Sequence, residues 1–427
     1  MAEQEDSLLG GYRVLDLADE KGLLCGKFLG DLGADVIKIE PPGGDLARNI
    51  GPFYKDIPDR EKSLYWWAYN TSKRGITLNI GTADGQEIFK RLVKTADVVI
   101  ESFLPGYMDS LGLGYTALSE MNPGIIMTSI TPFGQTGPYR DYKAPDIVGC
   151  CLGGLAYIAG DTDRPPCRVS FPQAYLLAGN HAAGGTLAAL RYRELSGEGQ
   201  YVDVSMQEAV VWTLMGVIQH WDLLKYNMVR AGVWRTFFIG PRYPTRVMRF
   251  CYPCKDGYVG FLIAGGLLAA ISMPAMVEWL AGEGMLGAFE PMKDWGYDEW
   301  LVRDVISMSR EEVDAEEDTL IRFFATKTRA ELYEQVLKRR IILYPVSTTK
   351  DVAENIQLKE REFWVEVEHP ELDETMTYVG APCKMTETPW RISRCAPLIG
   401  EHNQEIYEGE LGISKEEVRL LKEARVI

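Results

Sequence analysis

No stretch of this 427-residue sequence stays apolar for the roughly 18–20 residues that a membrane span requires. The longest candidate, Tyr258 to Met276, is broken by Gly260, Gly265, Gly266 and Pro274. Positive charge is also short: 45 Lys and Arg stand against 61 Asp and Glu, a net charge of −16. A nucleic-acid binder must neutralise phosphates and shows the opposite balance. Histidine is scarce, and the four present (His181, His220, His369, His402) form no HxH or HxxxH pair, so no histidine-based metal site is expected. The eight cysteines are scattered, which suits a reducing cytoplasm rather than a disulfide framework. Cys251 and Cys254 make one CxxC without a second ligand pair, ahead of a strand-like YVGFLI, and read as packed or surface thiols. The start, MAEQEDSLLGG, is acidic and has no basic segment followed by an apolar one, so a signal peptide is not expected. No GxGxxG follows the first strand, where DEKGLLCG stands instead, and this excludes a nicotinamide-binding turn. One further absence matters most: no Asp or Glu occurs from Arg164 through Arg193.

What is present is an ordinary globular composition, 46% hydrophobic and 25% charged, on a chain long enough for two domains. The first 130 residues alternate strand and helix patterns. YRVLDLA, ADVIKIE, ITLNI, DVVIESF and GIIMTSIT are short apolar, β-branched runs. Between them, GLLCGKFLGDLG has helical spacing at Leu24, Phe28 and Leu32, and TADGQEIFKRLVKTA is an amphipathic helix with Thr82 as its N-cap. This alternation predicts an α/β fold with a parallel sheet. Ligands bind such sheets at the carboxyl ends of the strands, which groups Ala18–Gly22, Glu40–Asp45, Ser102–Pro105 and Thr131–Gly137 around one crevice. GNHAAGGTLAAL predicts a long helix whose small residues permit close approach of a neighbour. Between about Trp234 and Gln357 the pattern changes to aromatic strands and charged helices, a smaller second domain, and the tail from Phe363 returns to strand, loop and helix.

Several blocks together, in order, resemble one family. They are RVLDL, LGDLGADVIKIEPPGGDLAR, NTSKRGITLNIGTADG, ADVVIESFLPGYMDSLGLGY, ITPFGQTGPYRDYKAPD, GEGQYVDVSMQEAV, GAPCKM and APLIGEHN. The sequence is similar to class III CoA-transferases, the formyl-CoA transferase and carnitine CoA-transferase group. The resemblance implies a Rossmann-like large domain built from both chain ends, a smaller α+β domain, and two chains interlocked as rings. On this sequence the expected boundaries are 1–225 for the first part of the large domain, 226–350 for the small domain with linkers, and 351–427 for the return. It implies no bound cofactor, coenzyme A and succinyl-CoA being substrates. It also implies covalent catalysis, in which an aspartate attacks the acyl-CoA carbonyl and carries CoA as an aspartyl thioester.

The family's nucleophile stands four residues before a glycine, after a D-x-P-P turn. Here the turn is Asp163 to Pro166, the glycine is Gly179, and the residue four earlier is Tyr175. A phenol, with an ordinary pKa near 10, does not replace a carboxylate in acyl exchange. Tyr175 is therefore expected to fill an abandoned pocket. By the same resemblance a degenerate CoA site surrounds Lys21, Gly22, Glu40, Leu78, Ser102, Phe103 and Lys143, and IAGG (Ile263 to Gly266) is a remnant of a Gly-rich flap. Asp146 is a weak catalytic candidate or the N-cap of the helix that begins IVGCC. The segment from DLADEKG to GPFYKDIPDREKSLYWWAYNTSKR resembles the non-catalytic subunit of two-subunit members that act on aryl-succinates such as benzylsuccinate, in anaerobic toluene degradation. The chain is thus expected to pair with a related subunit that carries the aspartate, the aromatics Trp212, Trp221, Trp234, Phe237 and Phe238 lying against it. The alternatives are a self-sufficient homodimeric transferase using Asp146 and a non-enzymatic CoA-binding scaffold. Neither nucleic acid nor membrane is an expected partner.

Overall fold

The computed structural model describes residues 7–237, 246–263, 265–305 and 307–427. Phe238, and Ala264 of the IAGG stretch, lie outside the described residues. Two compact units divide the chain. One takes the chain to Ala156, then Arg168–Met215 and Ile356–Ile427; the other holds Tyr157–Cys167 and Gly216–Asn355.

The first unit is built on six parallel strands, β1 (Arg13–Asp16), β2 (Asp35–Glu40), β3 (Lys73–Thr77), β4 (Val98–Glu101), β5 (Ile126–Thr131) and β6 (Tyr201–Ser205), in the order β3-β2-β1-β4-β5-β6. This is a doubly wound order, reversing direction at β1. Strands β2, β4 and β5 are almost wholly buried, which is why they read as continuous apolar runs rather than alternating ones. The helices that matter for the site are α1 (Leu23–Asp31), α2 (Leu64–Tyr69), α3 (Ala83–Val93), α4 (Asp146–Leu152), α5 (Gln173–Ser196) and α6 (Met206–Thr213). Thr82 does cap α3, its hydroxyl accepting from the Gly85 N–H. The small residues predicted to admit a neighbour do so: a Cβ on Gly179 of α5 would lie 3.0 Å from the Leu24 Cβ of α1.

The third strand differs from its expected position. ITLNI marks Ile76–Ile80, but the strand runs Lys73–Thr77. Its first residues are polar yet buried, because their charges are paired. Lys73 Nζ lies 2.8 Å from Asp16 Oδ2 with both side chains fully buried, and it also donates to the Leu23 carbonyl and Asn70 Oδ1. Burial lowers the Lys73 pKa. A second buried lysine, Lys38, stands 3.8 Å from the other Asp16 oxygen. Arg74 forks onto Asp35 at 2.9 and 2.6 Å. The Asp16 carboxylate leans over α1 so closely that a Cβ on Gly26 would meet it at 2.1 Å, so the helix needs glycine there.

In the second unit, α7 (Met215–Leu224) precedes a hairpin of β7 (Trp234–Phe237) and β8 (Arg246–Arg249). Strands β9 (Cys251–Cys254), β10 (Gly257–Phe261) and β11 (Leu343–Pro345) form an antiparallel sheet in the order β11-β10-β9. The helices α8 (Gly266–Gly282), α9 (Arg310–Phe324) and α10 (Arg329–Arg339) accompany it. Ser309 with Glu312 and Thr328 with Glu331 form reciprocal capping boxes that start α9 and α10. Tyr252, Phe261, Trp300, Phe323 and Phe324 make an aromatic core. Cys251 and Cys254 are half-buried free thiols at the two ends of β9. The Arg249 and Arg310 guanidinium groups lie 4.5 and 5.0 Å from the Trp234 ring, whereas Trp212 and Trp221 are 59% and 52% exposed. Strands β12 (Trp364–His369) and β13 (Glu374–Val379) and helix α11 (Lys415–Glu423) complete the first unit.

Removing Lys73 leaves the Asp16 charge buried with one distant partner. Lys73→Met should cost about 3–5 kcal/mol of unfolding free energy in a denaturant titration. A loss below about 1 kcal/mol would mean that Lys38 alone suffices to hold Asp16.

Candidate active site

Two cavities of the first unit open near the carboxyl ends of β1 to β4. The first, about 410 Å³, is lined by the β1 loop (Asp19, Glu20), the β2 loop (Glu40, Pro41, Asp45), Leu78 after β3, and Phe103 and Tyr107 after β4. Three of the four predicted loops therefore meet. The fourth, Thr131–Gly137, does not: its Gln135 lines a separate cavity of about 330 Å³ with Glu101, Asp109 and Tyr201. Of the residues marked for CoA contact, Glu40, Leu78 and Phe103 face the crevice. Lys21 turns to pair with Asp19, and Ser102 Oγ both donates to Asp19 Oδ1 (2.8 Å) and accepts from the Asp19 N–H (2.9 Å). Gly22 packs against Ala18 and Ile130, and Lys143 is exposed with no ion partner among the described residues.

The crevice is acidic. Asp19, Glu20, Glu40 and Asp45 line it, and no lysine or arginine does. Glu40 is already fully engaged, by Arg48 at 2.6 and 2.7 Å and by the Asp45 N–H at 2.8 Å. Burial raises the pKa of Asp45. The cations that answer these carboxylates, Lys21 on Asp19, Arg48 on Glu40 and Lys38 at 3.9 Å from Asp45, do not line the space, so no cation is offered to a phosphate there.

The second cavity, about 690 Å³, lies at the start of α5. Its walls are Tyr65 and Tyr69 of α2, Ile50 to Pro52, Ile147, Phe171 and Tyr175, with Arg168 and Ser170 also lining it. Tyr175 is the third residue of α5, so the predicted nucleophile position does face a cavity. It is 6% exposed and forms part of the wall, beside a space whose other walls come from segments distant in sequence.

Asp146 departs from its expected place as the helix N-cap. Pro145 is the N-cap of α4, and Asp146 is the helix's first residue. Its Oδ1 instead accepts the Ala174 N–H (2.8 Å) and the Tyr175 N–H (3.2 Å), capping α5. That helix follows Pro172, which offers no side-chain acceptor, so its first N–H groups need one from elsewhere. The carboxylate committed to this cap is 5% exposed.

The carboxylate that remains near Tyr175 is Glu20, which the sequence placed only within the loop Ala18–Gly22. Both line the same cavity, and burial, then the neighbouring Asp19, raises the Glu20 pKa. Glu20 and Ile50 line both cavities, so Glu20 stands at their junction. Its sequence signal was only its place after β1; the aromatic wall was foreshadowed by YWWAY. A second unexpected grouping is His369, Glu371 and Cys395, whose ligand atoms lie within 4.8 Å of one another. The His369 ring nitrogens are engaged by Glu371 at 2.9 Å and the Tyr378 hydroxyl at 2.8 Å. Burial raises the Cys395 thiol to about 11.

Comparison with known proteins agrees with the geometry. The profile of CoA-transferase family III matches residues 9–403. The chain is 36% identical over 399 residues to the succinyl-CoA:(R)-benzylsuccinate CoA-transferase subunit BbsE of Thauera aromatica, covering 92% of each chain. It is 34% identical to formyl-CoA:oxalate CoA-transferase of Streptomyces avermitilis, covering 98% of this chain and 99% of the relative. A crystal structure of a CAIB/BAIF family protein from Brucella suis superposes with a TM-score of 0.77 at 26% identity, over 94% of this chain and 98% of that one. CoA thioesters are the substrates that these family and relative names specify. No helix among the described residues is long and apolar enough to cross a membrane.

Asp146→Ala should destabilise the protein by about 1–2 kcal/mol through loss of the α5 cap, whereas Asp146→Asn, which keeps an accepting oxygen, should retain most of the stability. Equal losses in both variants, measured by denaturant titration, would assign the effect to charge rather than to the cap. Glu101 provides a pH test. Burial raises its pKa from 4.5 to about 7, against the lowering effect of Ser129 and the Phe103 N–H. A raised carboxyl pKa stabilises the fold below the unfolded value and loses that contribution as pH rises to the folded one. Relative to Glu101→Gln, wild type should lose about 3 kcal/mol between pH 4.5 and 7. A difference that stays flat across this window would show that Glu101 is ionised throughout.

Proposed function

The chain belongs to CoA-transferase family III, and on that premise we propose that it is one subunit of a heteromeric enzyme moving CoA from succinyl-CoA to an aryl-succinate such as benzylsuccinate. The nucleophilic aspartate comes from a related partner subunit, and this chain by itself is inactive. The observation that carries the reading is Tyr175 at the third position of α5. Acyl exchange through a mixed anhydride needs a carboxylate, because each intermediate must regain a leaving group of comparable reactivity. Burial raises the Tyr175 pKa further, so a phenolate is less accessible still. Asp146, the alternative nucleophile, is buried and engaged in the α5 cap. The acidic crevice fits a CoA site that has decayed, and the likeness to BbsE, itself named as a subunit, supports both the heteromer and the acceptor class. The exposed rings of Trp212 and Trp221 suit burial by the partner in an interlocked assembly. A reducing cytoplasm fits the eight unpaired cysteines.

Co-expression with an aspartate-bearing relative should give a one-to-one complex that transfers CoA, while this chain alone does not. Borohydride reduction during turnover, followed by peptide mass analysis, should modify the partner's aspartate and no residue of this chain. Modification of Glu20, the carboxylate open to both cavities, or turnover by this chain alone would overturn the proposal.

A further inference from the structure

The cavity at the start of α5 was not closed when the carboxylate was lost. At about 690 Å³ it falls within the range of small-molecule sites, which runs from roughly 300 to 1,000 Å³. We propose that it binds an aromatic carboxylic acid as the free acid, with the ring among the tyrosines and the carboxylate on Arg168, and that it does not bind the CoA ester.

The walls select the ring. Tyr65 and Tyr69 sit on one helix with ring centroids 4.9 Å apart, and Phe171 and Tyr175 add two more rings. Aromatic rings pack against one another offset or edge-to-face, which gains more than the burial of an alkyl chain of equal area. Phe171 is 49% exposed, so part of its ring is open to cover by a ligand.

The charges select the acid. Three ionisable side chains other than tyrosines line the cavity: Glu20, Asp146 and Arg168. Asp146 has its charge answered by the N–H groups of α5, and Glu20 lies at the junction with the crevice, where burial favours its neutral form. Arg168, which is exposed, forms no ion pair with a carboxylate among the described residues. A guanidinium presents a planar fork that matches a carboxylate in two parallel hydrogen bonds. The unanswered charge of the cavity is therefore positive and lies with Arg168.

The junction excludes the ester. A CoA thioester that kept its nucleotide in the neighbouring crevice would pass Glu20 into walls lined by Asp19, Glu40 and Asp45, where no lysine or arginine lines the space. The free acid has no such tail. That the ring is the one carried by the acceptor rests on the reading of function above. The preference for an aromatic carboxylate over CoA rests only on the cavity.

Calorimetric titration of the full-length chain, or of its complex with the partner where that is the form recovered, tests this, with sites counted per copy of this chain. Benzylsuccinate should occupy one Arg168-dependent site per copy of this chain, beyond any that the partner itself provides, and succinate, which lacks the ring, should bind that site at least about tenfold more weakly. Arg168→Gln and, independently, Phe171→Ala should each weaken benzylsuccinate at that site by about tenfold or more. Both side chains are exposed, so neither change removes a core contact. Coenzyme A should not displace benzylsuccinate from the site. Succinate binding as tightly as benzylsuccinate, no change in either variant, displacement by coenzyme A, or tighter binding of phenylethylamine than of benzylsuccinate would each overturn the proposal. A chain that needs no partner yet shows the site would overturn the heteromer alone. A chain that needs its partner yet shows no Arg168-dependent site would overturn this inference alone.

Discussion

A carboxylate without access to water, Asp16, organises the larger unit. It ends the central strand β1, where the sheet order reverses, and a charge in that position persists only if it is paired. Lys73 reaches it from β3 and Lys38 from β2, so three strands converge on one anion. The same lysines hold the Leu23 and Ala18 carbonyls, which fixes the loop after β1 and the start of α1. The cost of desolvating these groups is met by pairing, and pairing in turn sets the register: Asp16 stands opposite Lys38 in the ladder. Glycine at position 26 follows, because α1 passes against the carboxylate itself. The blocks through which the chain resembles its family, RVLDL, VIKIE and NTSKRG, are the ones that contribute this network.

From that anchored loop Asp19 and Glu20 reach the ligand-binding end of the sheet. A second long-range cap, Asp146 on the first turn of α5, places Tyr175 opposite them. On the function proposed above, the site has kept its framework while its reacting group has changed. The helix, its cap and the surrounding space all remain, but the third residue of the helix is a buried phenol whose proton is harder to remove than in water. Framework and chemistry separate in this way because they draw on different interactions. The backbone N–H groups of α5 must be satisfied for the helix to begin at all, whatever side chain the third residue carries. The adjoining crevice is lined by carboxylates at no cost to the sheet, since Glu40 serves the fold through Arg48.

Much of this was readable along the chain. Apolar runs separated by helical spacing determine the parallel sheet, Thr82 determines the start of α3, and the missing carboxylate between Arg164 and Arg193 is a property of the sequence alone. These are local or compositional facts, and periodicity reports them faithfully. Tertiary structure decided the rest. Lys73 and Arg74 enter a strand that their polarity argues against, because carboxylates distant in sequence await them. Asp146 caps a helix that begins 27 residues later rather than its own, because Pro172 leaves that helix without a local acceptor. Glu20 meets Tyr175, and the aromatic cavity stays open, through segments that only the fold brings together. A sequence pattern reports which face of an element is buried, but not which distant group shares that burial, and the chemistry of this site lies in those distant pairs.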